Sequence, residues 1–158
     1  MTHQIASGSI LARPGRPGRL ALAALVVFLP ALLGVTGCKS ISDRSIESVG
    51  FSEVQRQFLK KDGSVLFVDP RPREEYTAGH IPGAVHLRTT DVDLKDPDPS
   101  LGNYKMLIVY GNNPGSGIAK AMVKQLLTAD FKRARWFQGG MDAWREAGMP
   151  VDTGAPSQ

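Results

Sequence analysis

Cysteine is nearly absent from the sequence: Cys38 is the single cysteine among 158 residues. One thiol cannot form a disulfide within the chain, and it cannot supply a CxxC redox motif, a zinc knuckle or an iron–sulfur cluster. A basic excess is also absent from residues 38–158, which contain 16 basic and 15 acidic side chains. A nucleic-acid-binding domain would need clustered Lys and Arg there. We therefore expect no metal, no cofactor and no nucleic-acid partner.

The N-terminal residues 1–37 have the pattern of an export signal. A polar segment with basic residues up to Arg19 precedes an apolar stretch, residues 20–35, which contains Pro30. At 16 residues this stretch is shorter than the roughly 20 residues that span a bilayer comfortably. The four residues that end at Cys38, Val-Thr-Gly-Cys, resemble a bacterial lipobox. That resemblance implies cleavage before Cys38 and its lipidation; the alternative is an uncleaved signal anchor with an incidental cysteine.

Lipidation of Cys38 would make the mature chain a membrane-anchored lipoprotein of the cell envelope, facing the periplasm. Lys39 is a non-Asp residue after the cysteine, which by the lipoprotein-sorting pattern favours the outer membrane in a Gram-negative cell. The polar residues that follow predict a linker over 38–45, then one domain over 46–152 and a short tail over 153–158. The expected partners are the membrane, through Cys38, and an envelope protein or a small oxyanion.

Helical and strand patterns alternate through the domain. Ser52, with Gln55 three residues later, predicts a helix N-cap, and Phe51, Val54 and Phe58 share one face of that helix. Short apolar runs predict strands over 65–68, 85–87, 106–110 and 134–137. Further helices are expected over 116–128 and 141–147, the first with an inner stripe of Ile118, Ala121, Met122 and Leu126. This order predicts an α/β fold, with a mostly parallel central sheet flanked by helices on both faces.

Three segments between residues 46 and 151 resemble, in order, the rhodanese (sulfurtransferase) domain. They are VDPR with EYTAGHIPGA in residues 68–84, a strand–loop–helix over 107–127, and FQGGMDAW with AGMPV in residues 137–151. We interpret the residues that carry the resemblance as scaffold: Asp69, Arg71, Glu75, Gly79, His80, Pro82, Gly83, Gly139, Gly140 and Trp144.

Within this scaffold, the Asp69 carboxylate is expected to accept backbone N–H groups or to pair with Arg71. His80 is expected to make a structural hydrogen bond, His86 to be inert, and Trp144 to lie in the core.

The loop after the 106–110 strand departs from the family. The resemblance implies a nucleophilic cysteine directly after this strand, which takes sulfur from a donor such as thiosulfate and becomes a persulfide. Gly111 occupies that position, and the first arginine after it is Arg133. Ser116 holds no transferable sulfur, and Lys120 and Lys124 are placed on the following helix. No catalytic residue is therefore assigned.

Two function classes remain open. One is a catalytically inactive, lipid-anchored rhodanese-like module, which would look the same in sequence as a purely structural envelope protein. The other is a thiosulfate or persulfide sulfurtransferase with an atypical active-site loop. Because the loop is rich in glycine and leads into a helix, it is a candidate anion-binding loop or a plain surface turn. Its residues are Gly111, Asn112, Asn113, Gly115, Ser116 and Gly117.

Overall fold

The computed structural model describes residues 41–155. Its strands are β1 (Ser48–Val49), β2 (Val65–Asp69), β3 (Val85–His86), β4 (Met106–Tyr110) and β5 (Ala134–Phe137). Its α-helices are α1 (Phe51–Lys60), α2 (Arg73–Ala78), α3 (Gly117–Thr128) and α4 (Gly140–Glu146). Short 3-10 turns lie at Asp43–Ser45, Thr89–Asp91 and Pro99–Asn103. Cys38, the export signal and the last three residues lie outside the described range.

The strands form one sheet in the order β1-β5-β4-β2-β3, and every pairing between them is parallel. The two central strands, β2 and β4, are almost wholly buried, as short apolar runs without alternation predict. One core cluster lies under α3, which buries Met122 and Leu126 in it. The other core cluster contains Val54 of α1 and Trp144 of α4. The predicted parallel sheet with helices on both faces is confirmed.

Two details of the predicted helices are wrong. The N-cap of α1 is Gly50, not Ser52, because the Gly50 carbonyl accepts the first helical hydrogen bond from the Val54 N–H, at 3.2 Å. In α3, Ile118 is 40% exposed and Ala121 is exposed as well. The buried stripe of α3 is instead Ala119, Met122, Val123 and Leu126.

The C-terminus of α3 is closed by a Schellman motif. The Phe131 N–H donates to the Leu126 carbonyl at 2.9 Å, and the Asp130 N–H donates to the Leu127 carbonyl at 3.2 Å. This geometry places Asp130 in the left-handed region, with φ +69°. Glycine is the usual residue at that position, so the turn is formed here by a less favourable one.

Part of the segment predicted as a linker contacts the domain. Asp43 forms an ion pair with Lys124 of α3, and Ile46, the first residue of the predicted domain, packs on the core cluster under α3. All five strands and both core clusters lie within residues 41–155, so we expect the domain to fold without the preceding 40 residues. None of the helices in this range is long and apolar enough to cross a membrane.

Candidate functional site

The loop after β4 lies at the carboxyl edge of the parallel sheet, where ligands of open α/β sheets bind. The N-terminus of α4 holds this loop in place. The Met141 N–H donates to the Gly111 carbonyl at 2.9 Å, and the Asp142 N–H donates to the Asn112 carbonyl at 2.8 Å. Gly140 permits this approach, because its φ is +60° and a Cβ there would lie 2.5 Å from the Gly111 oxygen.

The position where the family places its nucleophile has no room for a side chain. Gly111 directly follows β4, and a Cβ on it would overlap both the Cβ and the Oγ of Ser116. Such a Cβ would also lie 3.3 Å from the Cβ of Ala119. The Ser116 side chain therefore fills the space in which the first atoms of a nucleophilic side chain would stand.

The rest of the loop is closed by its own hydrogen bonds. The Ser116 N–H donates to the Asn113 carbonyl at 3.0 Å, and the Gly115 N–H donates to Asn113 Oδ1 at 2.9 Å. Pro114 has no N–H to offer. The predicted anion-binding residues therefore lie together in one loop. The N–H groups of Gly115 and Ser116, which such a site would use, already donate to Asn113.

The Asn112 side chain belongs to a polar cluster under the loop. Its Oδ1 accepts a hydrogen bond from Arg71 Nη1 at 3.0 Å, and its Nδ2 donates to Glu75 Oε2 at 2.6 Å. These partners lie far away in the sequence, and no local pattern predicts them. The contacts join the loop after β4 to the loop after β2 and to α2, so they fix the first side chain of the candidate site.

Arg71 is buried at the centre of this cluster and is 2% exposed. Its Nε and Nη2 donate to the Asp69 carboxylate at 2.9 and 2.6 Å, and Nη2 also donates to the Gly79 carbonyl at 2.8 Å. Asp69 accepts the backbone N–H of Arg71 as well, at 3.0 Å, so both predicted roles of Asp69 are present. Burial lowers the pKa of Arg71, but the hydrogen bond and the charge of Asp69 outweigh it, and the net shift is upward. The pair is a permanent internal ion pair, already satisfied by the protein.

Tyr110, the last residue of β4, closes the cluster from the side of the sheet. Its ring centroid lies 5.6 Å from the Arg71 guanidinium, and its hydroxyl accepts the Ile81 N–H at 3.1 Å. Burial raises the pKa of the Tyr110 phenol far above its usual value, and the negative charge of Asp69 raises it further. The phenol stays protonated, so it offers neither a base nor a nucleophile.

The two histidines near the cluster each form a hydrogen bond with a backbone carbonyl. His80 Nδ1 lies 2.9 Å from the Tyr76 carbonyl, and the two rings stack at 3.8 Å, which agrees with the predicted structural role. His86 is not inert as predicted: its Nε2 lies 2.8 Å from the Arg71 carbonyl, so it helps to hold the turn after β2. Neither ring is positioned by these contacts to activate a group in the loop.

At the remaining scaffold glycines, either close neighbours or the backbone conformation disfavours a side chain. A Cβ on Gly79 would lie 2.9 Å from Arg145 Nη2, and one on Gly139 would lie 2.7 Å from the Ala143 Cβ, so neighbours exclude both. A Cβ on Gly83, in the turn after Pro82, would meet no atom within 4 Å apart from its chain neighbours. From the sequence we expect neighbours to exclude a side chain at both Gly83 and Gly139; at Gly83 this is wrong, and its φ of +77° is what favours glycine.

The described residues, 41–155, contain no group of three or more His, Cys, Asp or Glu side chains that could hold a metal ion. Trp144 is fully buried, and its Nε1 donates to the Pro150 carbonyl at 2.7 Å, so it is a core residue as predicted.

Comparisons with known proteins agree with this geometry. Among curated proteins, an HTH-type transcriptional regulator of Mycobacterium tuberculosis is 36% identical over 97 residues, which are 61% of this chain and 42% of that protein. The chain thus spans less than half the length of this relative. Among solved structures, the rhodanese-like domain of an Anabaena protein superposes with a TM-score of 0.55 at 22% identity, covering 70% of this chain and 88% of that one. The thiosulfate sulfurtransferase of Pseudomonas aeruginosa gives 0.54 at 22% identity, covering 72% of this chain and 21% of that one.

These solved structures share the fold, and a family model matches the sequence directly. The described domain, with its five-stranded parallel sheet and its loop after β4, contains the matched segment, residues 52–147, and the matching model is that of the rhodanese-like domain. The chain therefore belongs to the rhodanese-like domain family.

Proposed function

We propose that this chain is a membrane-anchored rhodanese-like module of the cell envelope that performs no sulfur transfer and acts by binding a partner protein. Gly111 carries the proposal, because it stands where the family's nucleophile would be. Sulfur transfer in this family needs a thiolate that attacks the donor and holds the sulfur as a persulfide. Gly111 has no side chain, and the hydroxyl of Ser116 beside it cannot form a persulfide.

The surroundings of Gly111 support a binding role over chemistry. Arg71 is the arginine whose guanidinium contacts the loop through Asn112, and it is already paired with Asp69. A donor anion would have to compete with a carboxylate whose hydrogen bonds to Arg71 are as short as 2.6 Å. Breaking such a buried pair costs about 3–5 kcal/mol, which would cancel most of the roughly 4 kcal/mol with which an anion of millimolar affinity binds. The loop is therefore better suited to present a surface than to enclose a substrate.

The exposed surface of the loop suits a protein partner. Asn113, Pro114 and Gly115 are exposed, and Ile118 in the first turn of α3 is 40% exposed although its side chain is apolar. Exposed apolar side chains beside polar loop groups are a usual composition for a protein–protein contact. The anchor at Cys38, suggested by the lipobox, would keep this surface in the cell envelope, within reach of envelope proteins.

A thiosulfate:cyanide assay tests the proposal. The domain, residues 41–158, lacks Cys38 and so contains no cysteine at all. We expect no thiocyanate above the blank, at any donor concentration, from either this domain or the full chain. Thiocyanate formation by the domain would overturn the inactive-module proposal. Loss of partner capture from envelope extracts by Ile118→Asp, with Leu59→Asp on the exposed face of α1 as the matched control, would locate the binding surface at the loop.

A further inference from the structure

A cavity of about 400 Å³ opens at the end of the domain opposite the loop after β4. This is the edge at which the strands begin, because the cavity includes Leu107 at the start of β4 and the turn that leads into β5. The lining residues come from the 3-10 turn before β4, from β4 and from the α3–β5 turn. They are Leu101, Gly102, Tyr104, Leu107, Ala129, Asp130, Phe131, Lys132 and Arg133.

The cavity is amphipathic. Leu101, Leu107 and Ala129 are buried and supply an apolar floor beside the partly buried ring of Phe131. The rim is polar: Arg133 Nη2 donates to the Gly102 carbonyl at 3.1 Å, which extends the guanidinium across the opening. An apolar floor with a few polar groups at the rim is the usual composition of a small-molecule site, and the volume lies in the range of such sites.

Positive charge is concentrated at this end of the domain. Residues 41–155 as a whole contain 15 basic and 15 acidic side chains, so the described domain is neutral. At the strand-start edge, however, basic residues outnumber acidic ones by five to three. The basic residues are Lys60, Lys61, Lys105, Lys132 and Arg133, and the acidic ones are Glu47, Asp62 and Asp130. The favoured occupant of the cavity is therefore an anion with an apolar part.

The path of the N-terminal segment brings this end toward the membrane. Asp43 is paired with Lys124, which lies four residues, or about 6 Å, before the end of α3. The cavity begins at Ala129, directly after that helix. Four residues lie between Cys38 and Asp43, and five residue steps of chain reach at most about 17 Å, so a lipid on Cys38 would be held that close to this ion pair. A chain tethered at Cys38 has its basic end close to the lipid headgroups.

We propose that this cavity and its basic rim bind an anionic phospholipid of the membrane to which the chain is tethered. The headgroup phosphate pairs with Arg133 and with Lys132, whose ion pair with Asp130 is almost fully exposed and weak. The adjoining apolar part of the lipid lies against Leu101, Leu107 and Phe131. A basic surface that contacts anionic lipids adds to the attachment that the proposed lipid on Cys38 would give. The orientation of this site rests on the proposed tether, whereas the lipid affinity of the cavity does not.

Vesicle flotation with the domain, residues 41–158, tests the site without the tether. The vesicles contain phosphatidylcholine alone or with about one third phosphatidylglycerol. We expect binding only to the phosphatidylglycerol vesicles, and weaker binding as salt rises. Lys132→Gln combined with Arg133→Gln should lower the affinity about 30-fold, since each basic residue near an anionic surface contributes roughly a factor of five.

Two further variants make the flotation result specific. Arg56→Gln combined with Arg88→Gln removes the same charge from exposed side chains elsewhere, each 65% accessible, and should leave the affinity within about twofold of wild type. Asp130→Asn removes an acidic group from the rim and should raise the affinity several-fold. Equal losses in the two double variants would show unspecific charge attraction and overturn the site, as would absence of binding.

NMR chemical shifts of the 41–158 domain, recorded during titration with dihexanoyl-phosphatidylglycerol, identify the residues that the lipid contacts. We expect chemical-shift changes at Leu101, Leu107, Ala129 and Phe131, and smaller ones with dihexanoyl-phosphatidylcholine. Changes centred on the loop at Gly111 would contradict the site. A negative result in these experiments would not contradict the proposed tether. Lipidation of Cys38 is tested by a separate measurement, the mass of the mature N-terminus.

Discussion

Gly111 and Ser116 show how a single side chain can close a site. Ser116 belongs to the end of the loop, but its Cβ and Oγ stand where the Cβ of residue 111 would be. Position 111 therefore has no side chain, and the space that one would need is occupied by Ser116. Beneath the loop, Arg71 is fully engaged by Asp69, Gly79 and Asn112, so the buried positive charge nearest to the loop is also committed.

Restoring a cysteine at position 111 should need two changes. Gly111→Cys alone forces the new Cβ into Ser116, and we expect a loss of about 1–3 kcal/mol in the free energy of unfolding, as for other overpacked sites. Gly111→Cys with Ser116→Gly removes the overlap and should regain most of that stability. Denaturant unfolding of the three variants in the 41–158 domain, with Ser116→Gly as the control, checks this. Equal stability of Gly111→Cys and wild type would contradict the overlap.

The double variant also probes the chemistry of the loop. Its thiol is the only one in the 41–158 domain, so a persulfide on it is visible in the protein mass after incubation with thiosulfate. We expect a trace of persulfide and slow thiocyanate formation in the double variant, and less in Gly111→Cys alone. The rate stays low because Arg71 remains paired with Asp69 and no arginine lies in the loop.

At the scale of elements, the sequence predicts the central strands well and the small elements poorly. β4 begins and ends where its apolar run predicts, and β5 also has its predicted bounds, because buried strands consist of largely uninterrupted apolar residues. β1 has two residues and exists by pairing with β5, about 90 residues away, so no local pattern marks it. The pattern misplaces the inner stripe of α3 because Ile118 is apolar yet faces outward.

The turn that ends α3 offers a clear stability test. Asp130→Gly removes a side chain from a left-handed position, and we expect the domain to gain about 0.5–1 kcal/mol. The ion pair with Lys132 that is lost in this variant is almost fully exposed and contributes little. Thermal unfolding of Asp130→Gly beside Asp130→Asn, which retains a residue tolerant of this conformation, isolates the backbone effect. A melting temperature below that of wild type would contradict it.

At the scale of the whole molecule, the core cluster that contains α1 and α4 is joined to the carboxyl edge through α4. Trp144 of α4 is fully buried, and the ring of Phe58 of α1 meets it edge to face, 5.0 Å from its centroid. The same helix holds the loop after β4 by its first N–H groups. This coupling between core and loop depends on residues far apart in the chain, which explains why the sequence indicated the loop but not its closed form.

Trp144→Ala should destabilise the domain by about 3–5 kcal/mol, as expected for deletion of a large buried side chain. Leu59→Ala, at a site on α1 that is 61% exposed, serves as the control and should change the free energy of unfolding by less than about 0.5 kcal/mol. Denaturant titration of both variants measures the difference. Similar stabilities would show that Trp144 does not support the core as its burial indicates.

The membrane tether is tested on the full chain in its cell. Cys38→Ser should abolish lipidation and leave the N-terminal apolar segment attached, because the lipobox then lacks its acceptor thiol. Mass spectrometry of the mature N-terminus distinguishes the outcomes: an acylated Cys38 supports the tether. An unmodified Cys38, or cleavage at another residue, contradicts it.

Because Ser116 fills the space of a side chain at position 111, it also limits how this loop can evolve. Under the proposed function, a cysteine gained at position 111 alone would bring little activity at a cost in stability, since it collides with Ser116, and glycine gained at position 116 alone would bring no chemistry. Selection for sulfur transfer would have to pass through a variant that is worse folded or no more active. Under the proposed function, the filled position would therefore hinder a return to sulfur transfer, and the exposed loop would be free to change with its binding partner.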